Sequence, residues 1–296
     1  MPNPITGTLV RTVPQYPFPG YSPAYVPANG SAVCDDTGDV FYFMVSVYPG
    51  EMFIGKYVYS TDTLSKLVTV DTSPGADPYR LAWNAAKDGF IVWSTGFPIS
   101  FFTVDLATLI VIPIGEILVG RVIRDLRWDV TLGYVCPGYG AGRHNFGVLD
   151  LAALTHTRFA WFDSSNWTCE LDGNFVYGQQ TVSMPGSGPL YRLHRAKGYM
   201  REFLAGSKNG QTAIADHNPN YFKSRLFTLE MALRGDSLYL VAQDAADAPY
   251  LFAYDVASRA VERLTPVVSD LSGMAVSPNG DRVMICGNSL GLFFYT

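Results

Sequence analysis

Cysteine and histidine are scarce in this sequence, and neither residue forms a recognisable motif. The four cysteines, at positions 34, 136, 169 and 286, are far apart, and none belongs to a Cys-x-x-Cys pair. The four histidines include no His-Glu-x-x-His pair, and the chain has no Gly-x-Ser-x-Gly motif. Zinc sites require closely spaced ligands. We therefore predict buried free thiols, no metal site, no cofactor and no catalytic residues.

Charge is also low, at 16% of residues, with a net charge of −5. No lysine- or arginine-rich run is present, so electrostatic binding of nucleic acid is not expected. No stretch approaches about 18 uninterrupted apolar residues, so we predict no membrane insertion. The N-terminal residues lack a basic segment followed by an apolar one, so we expect no classical secretory signal and a cytoplasmic or virion location.

Aromatic residues, by contrast, are abundant at 14%. A surface poor in charge and rich in tyrosine and phenylalanine is typical of a protein that is partly covered by a partner. The alternative is a β-rich fold that uses aromatic residues within its strands. Trp83, Trp93, Trp128, Trp161 and Trp167 lie mostly in predicted strands, and we interpret them as core.

A turn that places glycine beside a small polar residue recurs between pairs of apolar runs. Because glycine and asparagine tolerate positive φ, such turns favour tight strand reversals. The six glycines of these turns are Gly38, Gly89, Gly133, Gly173, Gly235 and Gly280.

A second pattern follows each hairpin by about 15 to 25 residues, where an aromatic-rich strand ends in a short polar turn. Asp105-Leu-Ala-Thr and Asp255-Val-Ala-Ser are two clear copies. The aligned positions of the five copies are Ser60, Asp105, Asp150, His194 and Asp255. Both patterns share a period of about 45 residues, with one longer interval at the same place.

Four short strands in each 45-residue unit are the signature of a β-propeller blade. The Ser277-Pro-Asn-Gly turn resembles the Ser-Pro-Asp-Gly turn of the propeller-repeat group that includes TolB-like and YncE-like proteins. The Asp-Leu-Ala-Thr turns resemble the corner between the third and fourth strands in the same group. The resemblance implies a fold, and says little about activity.

We therefore predict an all-β, six-bladed β-propeller in a single domain, residues 1–296. The predicted blades cover residues 32–72, 79–115, 125–161, 166–205, 228–266 and 272–296. The last unit lacks its fourth strand, and residues 6–14 match the fourth strand of the fifth unit in length and polarity. We predict that residues 6–14 pair with residues 272–296 and close the ring.

Function on a rigid scaffold tends to lie in long loops, and we expect these on one face of the propeller. They include a Pro- and Tyr-rich arm at 15–30, a loop at 137–145 and an insertion between blades at 205–227. Stiff proline-rich segments and tyrosine anchors suit partner binding. The candidate contact residues are Tyr16, Phe18, Tyr21, Tyr25, Tyr139, Arg143, His144, Asp216, His217, Tyr221 and Arg225.

The sequence favours a non-catalytic interaction platform, a structural or adaptor subunit of a larger assembly that binds protein partners or self-assembles. A virion or phage-tail-like component would fit these traits. Two alternatives stay open, each with its site on the long-loop face. One is a propeller hydrolase of the lactonase or glycosidase type, and the other is a glycan-binding propeller.

Overall fold

The structure is a computed structural model of the chain. The described residues are 5–14, 31–47, 51–71, 79–94, 96, 98–117, 121–123, 125–140, 143–162, 165–181, 190–205, 231–243, 249–267, 271–287 and 291–296. At some strand ends the backbone alone is described, including residues 139–140 and 143–144. In this part of the chain no helix combines the length and the apolarity needed to cross a lipid bilayer.

The first strand of the chain pairs with its last strand, and two antiparallel sheets follow the first strand in sequence. The first strand is β1 (Leu9–Val13). Sheet 1 contains β2 (Ala32–Cys34), β3 (Val40–Val47), β4 (Glu51–Val58) and β5 (Thr63–Asp71). Sheet 2 contains β6 (Tyr79–Trp83), β7 (Gly89–Ser94), β8 (Ile99–Asp105) and β9 (Val111–Ile117).

Three further sheets follow, and each is again built from consecutive strands. Sheet 3 contains β10 (Arg121–Ile123), β11 (Arg127–Asp129), β12 (Gly133–Gly140), β13 (Arg143–Asp150) and β14 (Thr155–Phe162), and both β10 and β11 pair with β12. Sheet 4 contains β15 (Ser165–Leu171), β16 (Phe175–Thr181), β17 (Leu190–His194) and β18 (Met200–Ala205), with a 3₁₀ turn η1 (Arg195–Lys197) before β18. Sheet 5 contains β19 (Ala232–Arg234), β20 (Ser237–Gln243), β21 (Pro249–Asp255) and β22 (Val261–Pro266).

Sheet 6 joins the two ends of the chain. Its own strands are β23 (Leu271–Val276), β24 (Val283–Gly287) and β25 (Gly291–Tyr295), and β1 adds beside β25. Leu9 lies opposite Tyr295, and Val13 lies opposite Leu292. The predicted closure is therefore confirmed, and the fold is the predicted six-bladed β-propeller.

The chain forms two compact units, each with its own cores. One unit contains residues 1–122, 151–154 and 270–296, and the other contains 123–150 and 155–269. In the first unit Phe41, Tyr57 and Phe294 pack between sheets 1 and 6. In the second unit Tyr177 and Tyr254 pack between sheets 4 and 5. Apolar side chains on facing sheets thus bury one another, as a small sheet cannot do alone.

The short turns lie where the repeat predicted them, and they are hydrogen-bonded to each other within a sheet. In sheet 1 the amide of Tyr59 donates to the carbonyl of Asp39 at 2.8 Å, and in sheet 5 Val256 donates to Asp236 at 2.8 Å. Sheets 2 and 4 repeat the bond, from Leu106 to Asp88 and from Arg195 to Asn174. The turn between the first two strands therefore adjoins the turn between the last two.

The loop predicted at 137–145 is largely strand. Gly138 pairs with Asn145, Tyr139 with His144 and Gly140 with Arg143, so residues 141–142 alone separate β12 from β13. Glycines weaken a strand in isolation. The flanking Val135–Val148 pair extends the register through them, because packing overrides local propensity in sheets.

Candidate interaction surface

Most of the candidate contact residues lie outside the described part of the chain. These are Tyr16, Phe18, Tyr21, Tyr25, Asp216, His217, Tyr221 and Arg225. The backbones of Tyr139, Arg143 and His144 meet at the tip of the β12–β13 hairpin. The structure thus brings these three positions together, and the contacts of all eleven side chains stay predictions.

An acidic pair in the second unit lies on either side of one arginine. Asp125, just before β11, is buried and lies 3.0 Å from the Arg127 guanidinium, which is also 3.9 Å from Glu170 of β15. The Asp125 carboxylate also accepts the amides of Leu126 at 2.8 Å and Cys169 at 2.9 Å. Burying a carboxylate costs less free energy when the group is paired and hydrogen-bonded in this way.

The same cluster also reaches sheet 5. Glu170 accepts the amide of Leu233 at 3.2 Å, and Arg127 donates to the carbonyl of Met231 at 3.3 Å. These contacts connect β11 of sheet 3, β15 of sheet 4 and the start of sheet 5 at β19. We infer that the cluster stabilises the packing of the three sheets.

A second charged cluster surrounds Glu202 on β18. Its carboxylate accepts from Arg192 at 2.8 Å and Arg259, and it lies 2.7 Å from Nε2 of His194. The hydrogen bond from Arg192, with that from His194, lowers the pKa of Glu202 to about 2 against the opposing effect of burial. A carboxylate so strongly held in its ionised form is a poor general base at neutral pH.

The cysteines also lack the features of a nucleophile. All four are buried free thiols. Burial raises the pKa of the Cys169 thiol, which disfavours the reactive thiolate. Among the described residues, no group of three or more His, Cys, Asp or Glu side chains is arranged to hold a metal ion.

Exposed apolar side chains are concentrated at a few places on the described surface. The large ones are Leu9, Val10, Leu109, Ile110, Ile112, Trp128, Val130 and Met200. Trp128 and Val130 lie in the β11–β12 hairpin and are 42% and 90% exposed. The interpretation of Trp128 as a core residue was therefore wrong, whereas Trp93 is fully buried as predicted.

Hydrogen bonds to Asp129 support the backbone of this hairpin, residues 128–132. The Asp129 carboxylate accepts the amides of Thr131 and Leu132, both at 2.8 Å. The Arg195 guanidinium binds both oxygens of the same carboxylate, at 2.7 and 3.0 Å. Bidentate arginine–carboxylate pairs fix geometry as well as charge.

Burial opposes ionisation of Asp129, but the donors outweigh it. The amides of Leu132 and Thr131 and the Arg195 guanidinium hold its pKa below the ordinary value. Its side chain is 9% exposed and that of Arg195 is 13% exposed, so water screens the ion pair weakly. Trp128 packs edge-on against Tyr134, with ring centroids 4.8 Å apart. The result is a hydrogen-bonded tip, residues 128–130, that exposes a tryptophan and a valine.

The corresponding turns of other sheets expose polar or small residues. Thr37 in sheet 1, Lys87 in sheet 2, Asn174 in sheet 4 and Asn279 in sheet 6 are all exposed. Sequence reasoning missed the tip because it treated the short turns as uniformly polar. The signal was the apolar Val130 between Asp129 and Thr131, where a turn residue is expected to be polar.

Comparison with known proteins supports the fold. No protein-family model and no curated protein sequence matches the chain. Among solved structures, TolB from Acinetobacter baumannii aligns with a TM-score of 0.61 and 15% identity, over 89% of this chain and 65% of TolB. This chain thus spans less than two thirds of the length of TolB.

Two other similar structures come from proteins of different kinds. A gluconolactonase from Xanthomonas campestris aligns with a TM-score of 0.61 and 13% identity, over 92% of this chain and 87% of the enzyme. A chain of the mitotic checkpoint complex aligns with a TM-score of 0.61 and 10% identity, over 98% of this chain and 94% of its own length. At these identities the likeness shows a β-propeller fold and carries no activity with it.

Proposed function

We propose that this protein is a non-catalytic β-propeller interaction platform, a structural or adaptor subunit that binds another protein through the tip formed by residues 128–130. The observation that carries the proposal is the exposure of Trp128 and Val130 on a turn held by hydrogen bonds to Asp129. Tryptophan is enriched among the residues that dominate binding energy at interfaces. A tip held by hydrogen bonds also loses less conformational entropy when it binds.

The charged clusters support the same function. Arg127 neutralises Asp125, and three donors surround Glu202, so these carboxylates stabilise contacts between sheets. The similarity to a chain of a multi-protein assembly is consistent with a platform. Membership of a virion or a phage-tail-like assembly is part of this proposal, because such subunits bind their neighbours through rigid surfaces.

A hydrolase of the lactonase or glycosidase type is the competing function, and the similarity to a gluconolactonase is what supports it. Its candidate residues are Arg143, His144, Asp216 and His217. Turnover of a panel of lactones and aryl glycosides that is lost in His144→Ala or His217→Ala variants would establish the enzyme in place of the platform.

Site-specific photocrosslinking at the tip tests the platform. The photoreactive residue p-benzoylphenylalanine replaces Val130 in the full chain, and a matched variant carries it in place of Asn279, the exposed turn residue of sheet 6. After irradiation in the native host, mass spectrometry identifies the crosslinked peptides. We expect one defined partner, or a second copy of this chain, at position 130 and not at position 279.

Two further variants make the result specific to the tip. Trp128→Ser removes the aromatic anchor, and Arg195→Ala releases Asp129 without changing the exposed residues. Each is expected to reduce the yield at position 130 at least fivefold, because a 1 kcal/mol loss of binding is a factor of about five. Equal adducts at positions 130 and 279, or none at either, would overturn the proposal.

A further inference from the structure

The outer strand of sheet 2 carries an uncharged run on its exposed side. Residues 109–114 read Leu-Ile-Val-Ile-Pro-Ile, and β9 is the edge strand of its sheet. Ile110 and Ile112 are 54% and 52% exposed, and Leu109 is also exposed. Several exposed apolar residues close together on a sheet edge are unfavourable in water unless they serve a function.

The edge strands of other sheets show that the fold itself does not require this run. In sheet 3 the exposed residues at the start of β14 are Thr155 and Thr157. In sheet 5 the exposed residues of β22 include Glu262 and Arg263. The same position in the repeat therefore accepts polar side chains, and the isoleucines of sheet 2 need a separate explanation.

The backbone of β9 leaves a short part of its outer edge open to pairing. The amide of Asp105 donates to the carbonyl of Ile110 at 3.1 Å, so Ile110 directs its polar groups toward β8. Along an antiparallel pair, successive residues direct their backbone polar groups alternately toward the partner strand and away from it. The backbone polar groups of Val111 and Pro113 therefore point outward, away from β8. Proline has no N–H, so this edge offers the Val111 amide and the carbonyls of Val111 and Pro113.

Acidic residues flank the apolar run. Asp105 and Glu116 are exposed at its two ends. Asp88 is also exposed, and its carbonyl accepts the amide of Leu106 beside Asp105. Lys87 is close by, but it pairs with Asp36. The surroundings of the run are therefore acidic, which disfavours pairing with a second, equally acidic copy of β9 and favours a segment with basic ends.

We propose that β9 binds an extended segment of a protein partner, apolar at its centre and carrying lysine or arginine at both ends. The segment adds as a further strand beside β9. Its central side chains cover Ile110 and Ile112, its backbone pairs with Val111 and Pro113, and its basic ends approach Asp105 and Glu116. Strand addition of this kind takes affinity from backbone hydrogen bonds and specificity from side chains. The inference deepens the proposed function by naming the chemistry of a partner, and it rests on a surface separate from the tip.

Synthetic peptides test this proposal with the full chain. The probe is Lys-Lys-Val-Thr-Val-Ile-Val-Thr-Lys-Lys, titrated by calorimetry. A second peptide has glutamate in place of the four lysines, and a third has the lysines but carries N-methyl groups on alternate central residues. We expect at least tenfold weaker binding for the glutamate peptide and no measurable binding for the N-methylated one.

A variant of the chain completes the test. Ile110→Thr with Ile112→Thr copies the threonines of β14 and should retain cooperative unfolding while binding the lysine peptide at least tenfold more weakly. The inference would be overturned if the unsubstituted chain bound all three peptides with equal affinity or did not bind the lysine peptide at 1 mM. It would also be overturned if the variant bound the lysine peptide as tightly as the unsubstituted chain does. Val130→Asp should bind the lysine peptide normally. If the unsubstituted chain does not bind the lysine peptide but still crosslinks at position 130, this inference is rejected and the proposed function stands.

Discussion

Single residues in the short turns take backbone conformations that side chains other than glycine rarely adopt. In the turn between the last two strands, φ is 52° at Asp62, 58° at Leu109, 50° at Leu154 and 63° at Arg259. The left-handed region costs most residues about 1 kcal/mol or more. The repeat predicted the turns, but it did not predict this strain, because none of these four positions holds the glycine or asparagine that signals positive φ.

Leu109→Asn should therefore stabilise the protein. Asparagine tolerates the left-handed region better than leucine, and the substitution also removes exposed apolar surface. We expect the free energy of unfolding in urea to rise by about 0.5–1 kcal/mol. Ile110→Asn, one residue further on, is the control and should not stabilise, because Ile110 is not among the residues with positive φ, so asparagine relieves no strain there. A loss of stability in Leu109→Asn would show that leucine makes a contact there that outweighs the strain.

At the scale of elements, charged side chains connect one sheet to the next. Arg192 and Glu202 belong to sheet 4 and Arg259 to the last turn of sheet 5, and all three meet at the Glu202 carboxylate. Arg192 also lies 4.1 Å from the centroid of the Phe175 ring, so a cation–π contact stabilises its charge in addition to the ion pair with Glu202. The ionised form of one glutamate therefore adds to the apolar packing between these two sheets.

The pH dependence of stability should reveal this contact. Because the folded-state pKa of Glu202 is about 2, against an ordinary value of 4.5, its contribution is present above pH 4.5 and is lost as pH falls toward 2. After allowance for solvent screening, we expect Glu202→Gln to lower the free energy of unfolding by about 1–2 kcal/mol at pH 7. The difference from the unsubstituted chain should shrink as the pH of the urea titration is lowered from 5 to 3.

Glu262→Gln provides the control, since Glu262 is exposed on β22. It should change stability little at any of these pH values. A constant difference between Glu202→Gln and the unsubstituted chain from pH 7 to pH 3 would show that shape, and not charge, accounts for the contribution of Glu202.

At the scale of the whole molecule, the pairing of β1 with β25 completes sheet 6 from the two ends of the chain. Val13 of β1 and Phe294 of β25 share a core with residues of sheet 1. The Arg11 guanidinium donates to the Tyr57 hydroxyl at 2.8 Å and to the Tyr59 carbonyl at 2.6 Å. It also lies over the Tyr59 ring, at 4.3 Å from the centroid. Arg11 thus attaches the closing strand to sheet 1 as well as to its own sheet.

The Tyr57 hydroxyl, which accepts the hydrogen bond from Arg11, also donates to the Asp62 carboxylate at 2.5 Å. Burial, together with that hydrogen bond, raises the pKa of Tyr57 to about 12, so the phenol keeps its proton near neutral pH. The closing strand, Tyr57 and the last turn of sheet 1 consequently act as one hydrogen-bonded group.

Arg11→Met should weaken the closure. It removes two hydrogen bonds and a cation–π contact, and we expect a loss of about 1–2 kcal/mol in the free energy of unfolding. Hydrogen exchange should accelerate at the amides of β1 and β25 before other strands. Arg263→Met removes a comparable arginine over Tyr250 in sheet 5 and should leave exchange in β1 and β25 unchanged. If both variants accelerate the same amides equally, Arg11 has no special part in closure.

The amino-acid sequence by itself determined the repeat and the joining of the chain ends. Turns such as Ser277–Asp281 are encoded locally, since the Ser277 hydroxyl and the Asp281 carboxylate lie 2.6 Å apart and hold the reversal. The pairing of β1 with β25 was predictable because one unit lacked a strand and residues 6–14 had its length and polarity.

Tertiary structure alone decided which side chains are presented to solvent and which charges meet. Asp129 and Arg195 are far apart in sequence, and neither position predicts the other. Trp128 has the residue type of a core position, yet 42% of it is exposed to solvent. Patterns of neighbouring residues determine local turns and strands, whereas contacts between sheets depend on packing that a sequence period does not contain.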